Sequence, residues 1–339
     1  PECDGIVNLD LAAMGADPGH RDVFVQVDHL APRRNKSAVF IFPQGAIGLL
    51  VTAFENAPVA NPDGTTGIHL HILSGNVIPY SAVVTLYEEQ LIPECAGPDA
   101  QSLPAIKAKS MDPARALIAH YALIADLNSC DSPSHCAACP GPDTVVYGSA
   151  GVSVMHGKDF IVSLGTLWKL GLYPKNPTND RAYNRNLAGT FMHELGHNFG
   201  LRHGGGDEDV PNYKPNYLSV MNYRYQFNGI LRTSGESLID YSRQALNTLD
   251  ESQLDERVGL GSNDPNLEFT FMDATCTPRR AKASGPVDWS GQGTLDSIVT
   301  ADLNPQEDPS GNCGDVSNSV MLGHEDWSTL DYGFYDQMN

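Results

Sequence analysis

His193-Glu194-Leu195-Gly196-His197-Asn198-Phe199-Gly200-Leu201-Arg202-His203 is the stretch on which the reading of this chain turns. On an α-helix, residues four apart lie on one face, so His193 and His197 send ring nitrogens toward one point. Glu194 then stands beside that point. Gly200 follows the second histidine by three residues, where a left-handed residue stops a helix and lets the chain swing round. That turn brings His203 to the same point from another side. Three neutral imidazoles on a tetrahedral Zn²⁺ leave one position for water, the catalytic rather than the structural arrangement of zinc. Glu194 is the residue suited to take that water's proton. The short pattern HExxH arises by chance in about one chain in a hundred of this composition, and Gly200 and His203 lower that by about two to three orders of magnitude. An amphipathic helix with surface histidines, the competing reading, is disfavoured on that count.

A second element, Ser219-Val220-Met221-Asn222-Tyr223, lies downstream. Met221 suits the hydrophobic floor of a histidine-bound metal, being polarizable and adaptable without competing as a ligand. Taken alone it reads as an ordinary core methionine. The long histidine motif followed by Ser-x-Met-x-Tyr resembles the metzincin clan of zinc endopeptidases, whose motif and Met-turn occur together. The resemblance covers residues 187–223 firmly. It implies that His193, His197 and His203 bind one catalytic Zn²⁺, that Glu194 is the general base and acid, and that Met221 forms the Met-turn. Tyr223 is similar to the tyrosine of the astacin-like and serralysin-like branches, which implies a catalytic role at the oxyanion. Gly204 stands where astacins carry Glu, so the branch stays open. Lys214-Pro215-Asn216-Tyr217 and Asp240-Tyr241-Ser242-Arg243 are similar to stretches of uncharacterised bacterial metzincin-like proteins.

Composition frames this reading. The 339 residues are 41% hydrophobic, ample for a packed core. A net charge of −20 argues against a nucleic-acid partner, which needs clustered Lys and Arg, and fits an exported, soluble, calcium-binding or salt-tolerant protein. The endopeptidase resemblance implies protein or peptide substrates. No apolar run is long enough to span a membrane, and no signal segment opens the sequence at Pro1, as in a processed or trimmed form. A secreted monomer is the working expectation. The seven cysteines, Cys3, Cys95, Cys130, Cys136, Cys139, Cys276 and Cys313, suit three disulfides and one leftover thiol in an oxidising compartment. Cys276 and Cys313 suggest a local bridge. A second zinc at Cys130, Cys136 and Cys139 is disfavoured, because His135 is the only obvious fourth ligand. For Cys3 a disulfide is favoured over a latency role at the metal.

Patterning along the chain predicts an α/β (α+β) domain, a twisted mixed sheet over an active-site helix. Asp22–His29 alternates and reads as a strand, Gln44–Asn56 as a helix, and Gly67–Leu73 and Asp159–Leu164 as strands. Ala116–Ala125 is a further apolar run. Asp159–Leu164 is the candidate edge strand for a substrate peptide, with a plain sheet strand the alternative. The active-site helix is expected to begin at Asn184–Asn186, after a loop over Leu172–Arg181. Ser242–Arg257 reads as a second helix. Tyr225 and Phe227 are candidates for an apolar specificity wall. His69 and His71 share one face of a strand but have no third ligand fixed nearby by sequence, so ordinary strand histidines are expected. Residues 1–258 are expected to form the catalytic domain and 259–339 an irregular Asp/Gly/Asn-rich extension packed on it as a C-terminal subdomain. Calcium is a candidate second ion at Asp207-Glu208-Asp209 and at Asp288-Trp289-Ser290-Gly291-Gln292-Gly293, though a solvated loop and a turn held by Trp289 are the simpler readings. Trp327 is a candidate anchor for the tail.

Overall fold

The computed structural model describes residues 9–32, 40–81, 83–88, 100–126, 149–163, 165, 180–206, 211–296, 298–305 and 320–333. They fall into two compact units, residues 1–199 with 331–339, and residues 200–330.

The first unit is built on a five-stranded sheet. In chain order its elements are β1 (Asp22–Leu30), α1 (Gln44–Glu55), β2 (His69–Ile78), the short parallel pair β3 (Val84–Thr85) and β4 (Gln101–Ser102), and α2 (Leu103–Ser110). There follow β5 (Ala119–Ala125), β6 (Gly151–Ser153), β7 (Asp159–Ser163) and α3 (Arg181–Asn198). The large sheet runs β2-β1-β5-β7-β6, parallel except for the last pair. This is the mixed α/β architecture that the patterning predicts.

Strand β1 is more buried than its alternation suggests, because β2 and β5 flank it and its polar residues also face packed surroundings. Gln26 and Asp28 are both buried, and Asp28 accepts hydrogen bonds from the Tyr121 hydroxyl at 2.7 Å and the Asn76 amide at 2.7 Å. Those bonds offset the cost of burying a carboxylate. The register slips between Val27 and His29 opposite residues 74–77. Gly75 sits there because a Cβ would lie 1.8 Å from an Asp28 carboxylate oxygen.

Helix α1 buries Ala46, Leu50, Ala53 and Phe54, the i, i+4, i+7, i+8 stripe of an amphipathic helix, and packs against α3. Helix α3 begins earlier than Asn184: Asp180 is its N-cap, accepting from the Tyr183 amide at 2.8 Å. A capping carboxylate satisfies an otherwise orphaned amide, which is why the helix takes Asp180 in preference to the asparagines. Twelve of its eighteen residues are buried, so α3 runs through the interior as a core element.

The candidate edge strand is placed differently from expectation. Strand β7 lies between β5 and antiparallel β6, so Gly151–Ser153 is the terminal strand of the sheet. Asp159–Ser163 carries four buried residues, consistent with an inner position.

The second unit holds α4 (Tyr223–Gln226), β8 (Ile230–Arg232), β9 (Ser237–Leu238), β10 (Leu249–Asp250), β11 (Leu267–Met272), β12 (Pro278–Lys282) and β13 (Val320–Met321). An antiparallel sheet runs β12-β11-β8-β9, and β10 pairs with β13. One core joins Leu218, Tyr225 and Ile230 to Phe269, Phe271, Trp289 and Met321. Residues beyond 259 therefore share a sheet and a core with those before it, and the stretch read as irregular contains a regular hairpin. Phe269 and Phe271 alternate on one face of β11, with Trp289 packed against both rings at 5.7 and 4.8 Å.

Ser242–Arg257 is not a helix. Its backbone is drawn into longer-range bonds: the Asn247 amide donates to Leu260, β10 pairs with β13, and the Leu254 amide donates to Val299. Two buried acids in the same stretch replace regular structure by accepting from distant backbone. Glu256 takes the amides of Ser290 and Asp296, and Glu251 that of Leu303. Helix propensity is a weak preference that such tertiary bonds override.

Candidate metal centre and active site

Each histidine of the motif is held by local structure. His193 and His197 project from the last turns of α3, with rings nearly perpendicular and Nε2 atoms 3.2 Å apart. Around zinc with bonds of 2.0–2.1 Å, neighbouring tetrahedral ligand atoms stand about 3.3 Å apart, so this spacing fits the ion. Helix α3 ends at the cap residue Phe199, and Gly200 adopts φ +88°, the left-handed turn its position predicts. Along this continuous stretch the ligand atoms of His193, His197 and His203 lie within 4.8 Å of one another. Burial holds the His203 imidazole below its ordinary pKa, favouring the neutral form that a metal ligand requires.

The end of α3 is pinned by a residue that the motif leaves unassigned. Buried Asn198 donates through Nδ2 to the Ser153 hydroxyl at 2.7 Å and the Val154 carbonyl at 2.8 Å, while its Oδ1 lies 3.0 Å from His120 Nδ1. Ser153 in turn donates to the Glu194 carbonyl, and the His156 amide donates to the His197 carbonyl. Strand β6 and the turn after it thus fasten the helix where the motif lies. His120 is fully enclosed, and burial brings its pKa down to about 4. The asparagine inside the motif was the one available signal, since a buried polar residue on a helix needs partners.

Glu194 is 3% exposed. Burial pushes its carboxyl well above the usual carboxylate range, the condition of a strong base held away from water. Gly151 faces it: a Cβ on that residue would meet Glu194 Oε1 at 2.3 Å. The terminal strand therefore runs close against the carboxylate only because glycine stands there.

Within the second unit, Met221 is wholly buried in the turn 219–222, and its amide donates to the Ser219 hydroxyl at 3.1 Å. Tyr223 is partly exposed, and its ring centroid lies 4.3 Å from that of His203. Asp326 braces the turn. Its carboxylate accepts from Ser219 Oγ at 2.6 Å, Tyr217 Oη at 2.8 Å and the Ser242 amide at 3.0 Å. Asn222 adds bonds from Nδ2 to the carbonyls of Lys214 and Tyr217. Asp240 accepts from Trp327 Nε1 and Arg243 Nε, so Trp327 does anchor the tail. Burial pushes Asp240 and Asp326 up to about 6. The two stretches beginning at Lys214 and Asp240 are thus the braces of the methionine turn.

Tyr225 is 1% exposed and belongs to the second unit's core, so it does not line an open pocket; Phe227 is half-buried. Asp288 accepts from the amides of Gly291, Gln292 and Gly293 and from Ser290 Oγ, an internal use of the carboxylate that leaves the loop self-supported. The acidic run 207–209, the loop up to residue 179, and Cys3, Cys95, Cys130, Cys136, Cys139 and Cys313 lie outside the described residues. His69 and His71 gain a partner that the sequence does not reveal, Asp22 on the neighbouring strand.

Among the described residues, no helix is long and apolar enough to cross a membrane. No curated protein matches the chain. Residues 142–204, which include β6, β7, α3 and the whole histidine motif, match the family described as Metallo-peptidase family M12B Reprolysin-like. That match and the histidine triad support a metzincin-type protease: they indicate a zinc metalloendopeptidase, a hydrolase acting on the peptide bonds of protein or peptide substrates.

Proposed function

We propose that this chain cleaves internal peptide bonds with Glu194 as general base and acid, and that His193, His197 and His203 hold one catalytic Zn²⁺. The observation that carries the reading is the 3.2 Å spacing of the two helical imidazoles beside a buried carboxylate. Zinc, when bound, supplies Lewis acidity that polarises a carbonyl and makes water a competent nucleophile near neutral pH. Glu194 accepts the proton of the attacking water on a carboxylate oxygen and returns it to the departing amine nitrogen. Its burial raises basicity and excludes competing solvent. Tyr223, through its phenolic hydroxyl, donates to the developing oxyanion. Met221 packs as the apolar floor, held by the Asp326 and Asn222 bonds.

Strand β6 is the proposed rail for the substrate. It is the last strand of its sheet, and an extended peptide adds to such an edge through main-chain hydrogen bonds. Gly151 lets that rail run close to Glu194. The catalytic stretch is proposed to be 1–258, with 259–339 an extension that shares the second unit's sheet and core. Secretion is proposed from the acidic composition and from Cys276, which is disulfide-bonded. Action as a monomer is part of the same proposal. Calcium enters it only at the acidic run 207–209.

Casein zymography with Glu194→Ala tests the reading. The variant is expected to retain zinc, measured by elemental analysis, while losing chelator-sensitive clearing. An active variant would refute the role of Glu194.

A further inference from the structure

We propose a second metal site, separate from the catalytic one, formed by Asp22 of β1 and His69 and His71 of the adjacent edge strand β2, and binding a divalent transition ion of the zinc class. It is independent of the catalytic reading. Parallel pairing sets Asp22 directly opposite His69. The two-residue period of β2 puts His71 on the same face as His69. One ligand atom from each lies within 4.8 Å of the others. Asp22 Oδ1 is 3.5 Å from His69 Nδ1, close to the separation of about 3.3 Å between neighbouring tetrahedral zinc ligands. The same oxygen is 2.6 Å from His71 Nε2, a hydrogen bond. For a divalent ion to enter here, His71 takes the tautomer with its proton on Nδ1, so that Nε2 ligates the ion as a neutral imidazole, and the two atoms separate by about 0.7 Å.

The surroundings favour an ion held by the protein over a bare surface pair. Asp22 and His71 are largely covered, with side chains 12% and 19% exposed, while His69 at 41% leaves an approach and room for water to complete the coordination. The second carboxylate oxygen of Asp22 accepts the Asp17 amide at 2.9 Å, which fixes the carboxylate's orientation. The His71 ring stacks on Phe24 at 4.3 Å, and Gly15, at φ +95°, lets the preceding loop pass close over its other side. His20 stacks on His69 at 3.6 Å. Two imidazoles and one carboxylate suit zinc and its neighbours in the transition series; calcium and magnesium prefer all-oxygen sites. Because β2 ends the sheet, such an ion would fasten the loop before β1 and the outermost strand together.

The test is zinc stoichiometry on the full chain, stripped with chelator, reloaded with Zn²⁺ and dialysed before elemental analysis. Wild type is expected to hold two equivalents, His69→Asn and His71→Gln one each, and the double variant His193→Ala/His197→Ala one. Cobalt(II) substitution provides a second readout: the visible absorption of the second equivalent should vanish in the strand variants and persist in the helix variant. A zinc stoichiometry left unchanged by both strand variants overturns the proposal, whatever the wild-type total. Should the catalytic reading fail instead, the helix variant would leave the stoichiometry unchanged while the strand variants still lowered it. Circular dichroism on each variant identifies any that fail to fold, and His69→Asn, at a half-exposed position, keeps the test available.

Discussion

The two histidine clusters hold similar donors by opposite means. In the helical cluster the spacing of His193 and His197 comes from one turn of a buried helix, and Glu194 beside them is enclosed without an ion-pair partner among the described residues. The strand cluster takes its carboxylate from another strand, 49 positions from His71, and already satisfies it with a 2.6 Å hydrogen bond. In the first, burial drives the carboxyl up, as the proposed general base requires. A group that is already paired has less to gain from a reaction and is suited to holding structure together. Sharing a residue type therefore does not imply sharing a role; the distinction lies in whether the acid beside the imidazoles is compensated.

Substitutions should separate the two clusters. Glu194→Gln is expected to lower kcat/KM by about 10³-fold with zinc retained, since general acid–base groups contribute about 10²–10⁴-fold. A loss below tenfold would place the base elsewhere. Tyr223→Phe should lower kcat by about 10²-fold with KM nearly unchanged, the signature of an oxyanion donor, read from steady-state kinetics on a peptide substrate. A raised KM with kcat unchanged would mark Tyr223 as a binding residue only.

Asp326→Asn tests the brace of the methionine turn, a support with no counterpart at the strand cluster. Losing part of its hydrogen bonding should cost about 2 kcal/mol of stability in urea denaturation at pH 5. The same residue carries a pH signature. Its folded-state pKa of about 6 lies above the ordinary carboxylate value, so the folded state binds this proton more tightly than the unfolded one. Its contribution is fully present below about pH 4 and is lost as the pH rises through 6. The substitution should flatten the slope of stability against pH in that window; an unchanged slope would assign it to Asp240 or to other acids. The smallest effect is expected from His71→Gln, which should leave kcat/KM within about twofold while lowering Tm by a few degrees in zinc-containing buffer, in line with a modest structural tie. A collapse of activity would join the clusters into one functional site.

The helical cluster was legible because everything that places His193 and His197 is local. The helix period and a glycine's left-handed turn act within eleven residues, and the family match independently falls on the same stretch. The strand cluster was not, because strand register brings Asp22 to His69 and register is a property of pairing. The same reason explains the misplaced edge. Residues 151–153 are too short and too weakly patterned to announce a strand, yet they cover β7. Ser242–Arg257 reads as a helix in sequence, but buried Glu251 and Glu256 spend their oxygens on distant amides, which the local sequence does not reveal. Asp180 was missed as a cap because the asparagines after it are also acceptable N-caps.

The bond from Ser219 to Asp326 joins positions 107 residues apart. As the chain leaves the ribosome, the turn bearing Met221 emerges long before the carboxylate that fixes it. The methionine turn therefore cannot take its final form on a nascent chain until Asp326 has been made. The order of synthesis itself thus delays completion of the methionine turn.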